Sequence, residues 1–88
     1  MNMFWICVDN MGHKFSAMYH VAPSEIHMSQ YYYEQLFAEM CGNQWWFLMK
    51  ENEVRGMKIV IDNEERLFTL YGGGHSLTAT HLHESRWV

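Results

Sequence analysis

The amino-acid sequence predicts an α+β fold in which one helix packs on an antiparallel sheet of five or six strands, in the order ββαβββ along the chain. Three observations lead to this prediction: apolar segments with strand-like alternation towards both ends, one central segment with helical spacing, and short polar turns between segments. The 88 residues contain no repeat and no linker-like stretch, so residues 1–88 are expected to form a single domain.

The first part of the chain is interpreted as a β-hairpin. The segment MFWICV is apolar on both alternating faces, which is typical of a strand covered on both sides. The segment HKFSAMYH alternates apolar with polar residues, and the DNMG sequence between the two contains residue types that turns prefer. We therefore expect two strands and a turn over residues 3–20.

A single helix is predicted from Pro23 to Cys41. Pro23 suits the first helical position, and Gly42 suits the C-terminal cap. The apolar residues of this segment recur at the spacing of a helix face that packs on a sheet. That core-facing stripe is expected to consist of Ile26, Tyr33, Leu36, Phe37 and Met40.

A second stripe on the same helix is the candidate partner-binding surface. It contains Met28, Tyr31, Tyr32 and Gln35, and Trp46 on the following strand is expected to continue it. At roughly 100° per residue, Tyr31 lies about 160° around the helix from Tyr33 and should face solvent. Met28 and Tyr32 have a second interpretation, in which they flank the core and expose only their tips.

Three apolar segments after the helix predict an antiparallel meander. They are QWWFLMK, MKIVI and RLFTLY, and polar turns separate them. The glycines at positions 72–74 are then expected to form a turn into a terminal strand. They lack the lysine and spacing of a phosphate-binding loop, and no GxGxxG sequence is present.

Three histidines in the terminal segment raise the alternative of a metal site. In a strand, His75, His81 and His83 lie on one side, and His81 and His83 provide two potential ligands. A catalytic zinc site needs about three protein ligands and a structural site needs four. We favour histidines without a metal and predict no cofactor. The alternative function is a metal-binding regulator or a small metal-dependent enzyme that uses His81 and His83.

Charge and cysteine content restrict the classes of partner. Six basic and ten acidic residues give a net charge of −4, and the basic residues form no run, so nonspecific nucleic-acid binding is not expected. The N-terminal apolar run is too short for a membrane span or a signal peptide. Cys7 and Cys41 are interpreted as reduced thiols in a cytoplasmic protein.

No pattern of nucleophile and base predicts catalysis. Ser76 and His75 are adjacent, but neighbours in a strand point to opposite faces. Aromatic residues make up 16% of the chain, more than a core of this size uses, and such residues anchor protein interfaces. The sequence therefore favours a small non-enzymatic protein that docks on a larger intracellular protein and inhibits or modulates it. Some virus-encoded inhibitors of host defence are similarly small. A homodimer that buries the same aromatic surface is a further alternative.

Overall fold

The structure is a computed structural model that describes residues 3–39, 49–50, 52–79 and 82. Within them, two helices and six strands confirm the predicted α+β class. In chain order the elements are α1 (Met3–Tyr19), β1 (Glu25–Met28), α2 (Gln30–Glu39), β2 (Met49–Lys50), β3 (Glu53–Val54), β4 (Met57–Ile61), β5 (Phe68–Gly72) and β6 (His75–Ala79).

The predicted N-terminal hairpin is wrong, because residues 3–19 form helix α1. The six-residue apolar run fits both a doubly covered strand and a helix, since it is apolar on every face. The wider spacing decides the outcome: Trp5, Val8, Met11 and Phe15 recur every three or four residues and are all buried. The chain leaves the helix at His20, whose positive φ of 60° ends the helical hydrogen bonding.

The predicted helix from Pro23 to Cys41 begins too early. Residues 25–28 form strand β1, and α2 begins at Gln30. Ser29 caps the helix, because its Oγ accepts a hydrogen bond from the Tyr32 amide at 3.0 Å. The Asn63 side chain accepts another from the Gln30 amide at 3.0 Å. The predicted end at Cys41 lies outside the described residues.

The sheet is mixed, with the strand order β2-β3-β4-β1-β5-β6. Strand β1 pairs in parallel with β4 and in antiparallel with β5, so the prediction of an entirely antiparallel sheet is wrong. Insertion of β1 between β4 and β5 also separates two strands that the sequence predicted to be neighbours. The segment around Glu53, interpreted as a turn, contributes the short strand β3. Residues 44–48 of the predicted strand QWWFLMK lie outside the described residues.

The core lies between the two helices and one face of the sheet. Alternate residues of the central strands, Ile26 and Met28 of β1 and Phe68 and Leu70 of β5, are buried in one cluster with the apolar stripe of α1. The opposite face is more polar. There Thr69 donates a hydrogen bond to Glu65 at 2.8 Å and lies 2.9 Å from the Thr78 hydroxyl. The pattern is that of a two-layer fold.

The glycine turn forms as the sequence predicted. Gly73 and Gly74 occupy a two-residue turn with φ values of 55° and 83°, and Gly72 ends β5 opposite His75. Gly72 is required for a different reason, close packing. A Cβ atom at this position would lie 2.8 Å from the Ala22 carbonyl oxygen and 3.0 Å from Pro23 Cα.

Two glycine substitutions should have opposite effects on stability. A Cβ atom added to Gly12, inside α1, would have nothing within 4 Å. Gly12→Ala should therefore raise the free energy of unfolding by about 1 kcal/mol, because alanine favours the helix. Gly72→Ala should lower it by about 1–3 kcal/mol, because backbone atoms must shift. Urea unfolding followed by circular dichroism measures both, and equal effects from the two substitutions would contradict this packing.

Candidate functional site

The side chain of Tyr32 joins α2 to α1 and to the sheet. It is fully buried, and its ring packs edge-on against Phe68 of β5 and Phe4 of α1, each with a centroid distance of 5.0 Å. Its hydroxyl donates a hydrogen bond to the Phe4 carbonyl oxygen at 2.7 Å. A buried tyrosine hydroxyl needs such a partner, so this bond fixes where α2 lies against α1.

The other end of α2 binds the start of α1. The Glu39 carboxylate accepts hydrogen bonds from the Phe4 amide at 3.0 Å and from the Trp5 amide at 3.2 Å. These amides belong to the first turn of α1, where N–H groups have no partner within the helix and a negative charge is favourable. The Trp5 indole N–H in turn donates to the Leu36 carbonyl oxygen at 3.0 Å. The first turn of α1 is thus held by side-chain and main-chain groups of α2.

Tyr31 projects from α2 beside this junction. It is 59% exposed, which confirms the expectation that it faces solvent. Its ring lies edge-on to Phe4, with a centroid distance of 6.3 Å and an interplanar angle of 72°. Gln35 is half-buried and follows one helical turn later on the same side of α2. Phe4, Tyr31 and Gln35 are called the Tyr31 patch below.

The remaining residues of the predicted surface lie elsewhere. Met28 and Tyr32 are fully buried, so their place on an exposed stripe is wrong, and neither exposes the tip that the second interpretation allowed. Met28 is in β1 rather than in a helix, and its side chain points into the core. Tyr32 and Leu36 form the buried face of α2, whereas Phe37, predicted to face the core, is exposed. Trp46 lies outside the described residues.

Phe4 is the residue of the Tyr31 patch that the sequence analysis does not identify. The sequence pattern places Phe4 in a strand, where nothing connects it with Tyr31, 27 positions further along the chain. The helical spacing of Trp5, Val8, Met11 and Phe15 was the available signal, since it places residues 3–19 in a helix that must pack against another element.

The histidines of the alternative metal site are only partly described. His75 is exposed and stacks on Tyr19 of α1, with a centroid distance of 4.2 Å and an interplanar angle of 4°. His81 and His83 lie outside the described residues, as does Cys41. Among residues 3–39, 49–50, 52–79 and 82, no three His, Cys, Asp or Glu side chains are grouped so that they could hold a metal ion.

Burial also determines how Tyr32 ionises. Removal from water raises the pKa of the Tyr32 hydroxyl far above its usual value, and the neighbouring Cys7 thiol and the Glu39 and Asp9 carboxylates raise it further. The folded protein therefore retains this proton at pH values where the unfolded chain, with a tyrosine pKa of about 10, releases it. Stability supplied by Tyr32 is present below about pH 10 and is lost as the pH rises above it.

Replacement of Tyr32 should reveal this linkage. Tyr32→Phe should lower the free energy of unfolding by about 1 kcal/mol at neutral pH, because the bond to Phe4 is lost. Above about pH 10 the wild-type protein should lose about 1.4 kcal/mol more per pH unit than the variant. Urea unfolding across the alkaline range measures this. Tyr31→Phe, which removes a hydroxyl from an exposed tyrosine, is the control, and parallel curves for wild type and Tyr32→Phe would contradict the assignment.

The chain matches no protein-family model, no curated protein and no solved structure. Neither α1 nor α2 is long and apolar enough to cross a membrane. The geometry of the Tyr31 patch is therefore what points to a role.

Proposed function

We propose that this protein is a small non-enzymatic module that binds a larger protein through the Tyr31 patch and inhibits or modulates it. The observation that carries the proposal is that the Tyr31 side chain is exposed to solvent and also contacts the ring of Phe4, which α2 holds in place. Tyr31 is 59% exposed, yet its ring contacts a phenylalanine whose amide N–H and carbonyl oxygen are both bound by side chains of α2.

Support of this kind favours binding because it lowers the entropy lost when a partner immobilises the side chain. Tyrosine has few rotatable bonds and presents both an apolar ring and a hydroxyl, which is why it recurs among the residues that dominate interface energies. Tyr31 can therefore insert its ring into an apolar pocket of the partner while its hydroxyl finds a hydrogen-bond partner there. Folding leaves more than half of the Tyr31 surface exposed, and a second molecule can bury it.

The residues around the Tyr31 patch indicate the polarity and charge of the partner surface that would fit it. Met3, next to Phe4 in the chain, is 40% exposed and adds apolar surface at the start of α1. Glu34 is exposed one turn after Tyr31 and accepts a hydrogen bond from the Gln30 side chain at 3.1 Å. With a net charge of −4 on the chain, the complementary surface is an apolar pocket with a neutral or basic rim.

Removal of the Tyr31 ring should separate binding from folding. Tyr31→Ala should change the free energy of unfolding by no more than about 0.5 kcal/mol, because the side chain is exposed. It should weaken binding of the partner by about 2 kcal/mol, or roughly thirtyfold. Quantitative mass spectrometry of captured proteins identifies the partner, and calorimetry with the purified partner then measures the dissociation constants.

The matched control is Phe37→Ala. This change removes an exposed aromatic ring from the same helix, about 120° around the axis from Tyr31. The partner is defined as a protein whose capture falls with Tyr31→Ala and persists with Phe37→Ala. If Tyr31→Ala folds and captures the same proteins in the same amounts, the proposed surface is wrong. If sedimentation shows a wild-type dimer that Tyr31→Ala dissociates, the patch binds a second copy and the larger-partner proposal is overturned.

A further inference from the structure

A cleft separate from the Tyr31 patch lies between α1 and the turn that joins β3 to β4. Its volume is about 230 Å³. We propose that this cleft binds a small organic monocarboxylate with an apolar body. The lining residues that carry the proposal are Asp9, Gly12, His13, Ser16, Arg55 and Met57.

The first observation is a glycine in the interior of a helix. Gly12 costs α1 about 1 kcal/mol relative to alanine, and packing does not require it, because a Cβ atom there would have nothing within 4 Å. Gly12 is one of the residues that line the cleft. Glycine at this position keeps the cleft wide and allows a ligand to approach the helix backbone closely.

The second observation is the backbone conformation of Arg55. Its φ is 52° and that of Gly56 is 80°, so the two residues form a hairpin turn in which the first position favours asparagine, aspartate or glycine. Arginine is disfavoured in this left-handed region. Gly12 and Arg55 thus both depart from the locally preferred residue, and both line the same cleft. Departures of this kind concentrate at functional sites.

The guanidinium group of Arg55 is held in a fixed orientation. Its Nε and Nη2 atoms donate to the two Asp9 carboxylate oxygens at 2.9 and 3.1 Å, and it lies 5.1 Å from the centre of the buried Trp5 ring. Arginine has five N–H groups, so three remain without an acceptor among the described residues. A guanidinium group fixed in this way can donate to a further anion without first losing its own mobility.

The lining residues define the chemistry of the ligand. Arg55, the His13 ring and the Ser16 hydroxyl provide hydrogen-bond donors in the lining, while Met57, Val8 and Pro23 provide an apolar surface. A carboxylate matches the planar donors of arginine. The Asp9 carboxylate and the net charge of −4 repel a dianion such as phosphate more strongly than a monocarboxylate. The volume is below the roughly 300–1,000 Å³ of sites for drug-sized ligands, so the apolar body must be small.

Benzoate is a suitable probe, and benzamide is its neutral counterpart of the same shape. In an amide NMR titration of the full chain, benzoate should shift the Gly12 amide and the Arg55 side-chain N–H signals, with a dissociation constant on the order of 1 mM. Benzamide and inorganic phosphate should each bind at least about tenfold more weakly. Absence of the shifts, or an equal response to benzamide, would overturn the proposal.

Two variants test whether Gly12 and Arg55 serve the ligand rather than the fold. Gly12→Ala should be more stable than wild type. Arg55→Asn should lose no more than about 1 kcal/mol, because asparagine suits the turn and partly offsets the lost Asp9 ion pair and Trp5 contact. Both should bind benzoate at least about tenfold more weakly. Met18→Ala, on an exposed part of α1 outside the cleft lining, should bind normally. Unchanged benzoate binding by Gly12→Ala and Arg55→Asn would contradict the proposal.

Discussion

The burial of the Tyr32 side chain is the constraint on which the arrangement of the helices depends. A tyrosine in an apolar core must satisfy its hydroxyl group, and here the acceptor is the carbonyl oxygen of Phe4. The Tyr32 amide binds the capping Ser29, and its ring contacts Phe68 of the sheet. One residue thus connects the start of α2, the first turn of α1 and the centre of the sheet. A shift of α2 relative to α1 would leave the buried Tyr32 hydroxyl without its acceptor, and a shift of the sheet would open a gap beside the Tyr32 ring.

The same contact determines what the protein exposes. Because Tyr32 and Glu39 both bind the backbone of Phe4, the Phe4 ring has a fixed place beside α2. Tyr31, the residue before Tyr32, then contacts that ring edge-on and faces outward. The buried and exposed tyrosines therefore have complementary roles. Tyr32 positions the support, and Tyr31 presents the surface that we propose binds a partner.

Local patterns predicted the C-terminal half of the described fold better than the N-terminal half. Strands β4, β5 and β6 and the turn at Gly73 follow from alternation and turn chemistry, which depend on neighbouring residues. The sequence pattern does not identify helix α1, because a short run that is apolar on every face fits both the two-residue repeat of a strand and the 3.6-residue repeat of a helix. The sequence pattern does not identify strand β1, because residues 25–28 directly precede a helical pattern and resemble the first turn of that helix. The parallel pairing of Ile26 with Ile59 is a non-local contact that no local pattern encodes.

In the candidate site, too, local patterns predict some features, whereas others depend on contacts between distant parts of the chain. Helical spacing predicted the exposure of Tyr31 from its neighbours alone. The support from Phe4, by contrast, depends on packing between helices that are distant in sequence, and a strand assignment for residues 3–8 concealed it. The sequence patterns also do not identify the cleft residues Gly12 and Arg55, because they place Gly12 in a turn and Arg55 in a polar turn between strands. Their departure from local preference becomes visible only when the helix and the hairpin are in place.

Hydrogen exchange of the Phe4 and Trp5 amides tests the central claim most directly, namely that α2 holds the first turn of α1 rigid beneath Tyr31. First-turn amides usually exchange rapidly, because they have no partner within the helix. Binding of both amides by the Glu39 carboxylate predicts that they are protected, and that Glu39→Ala abolishes this protection while amides in the middle of α1 remain protected. Exchange of the Phe4 and Trp5 amides at the rate of an unstructured peptide in the wild-type protein would contradict the account.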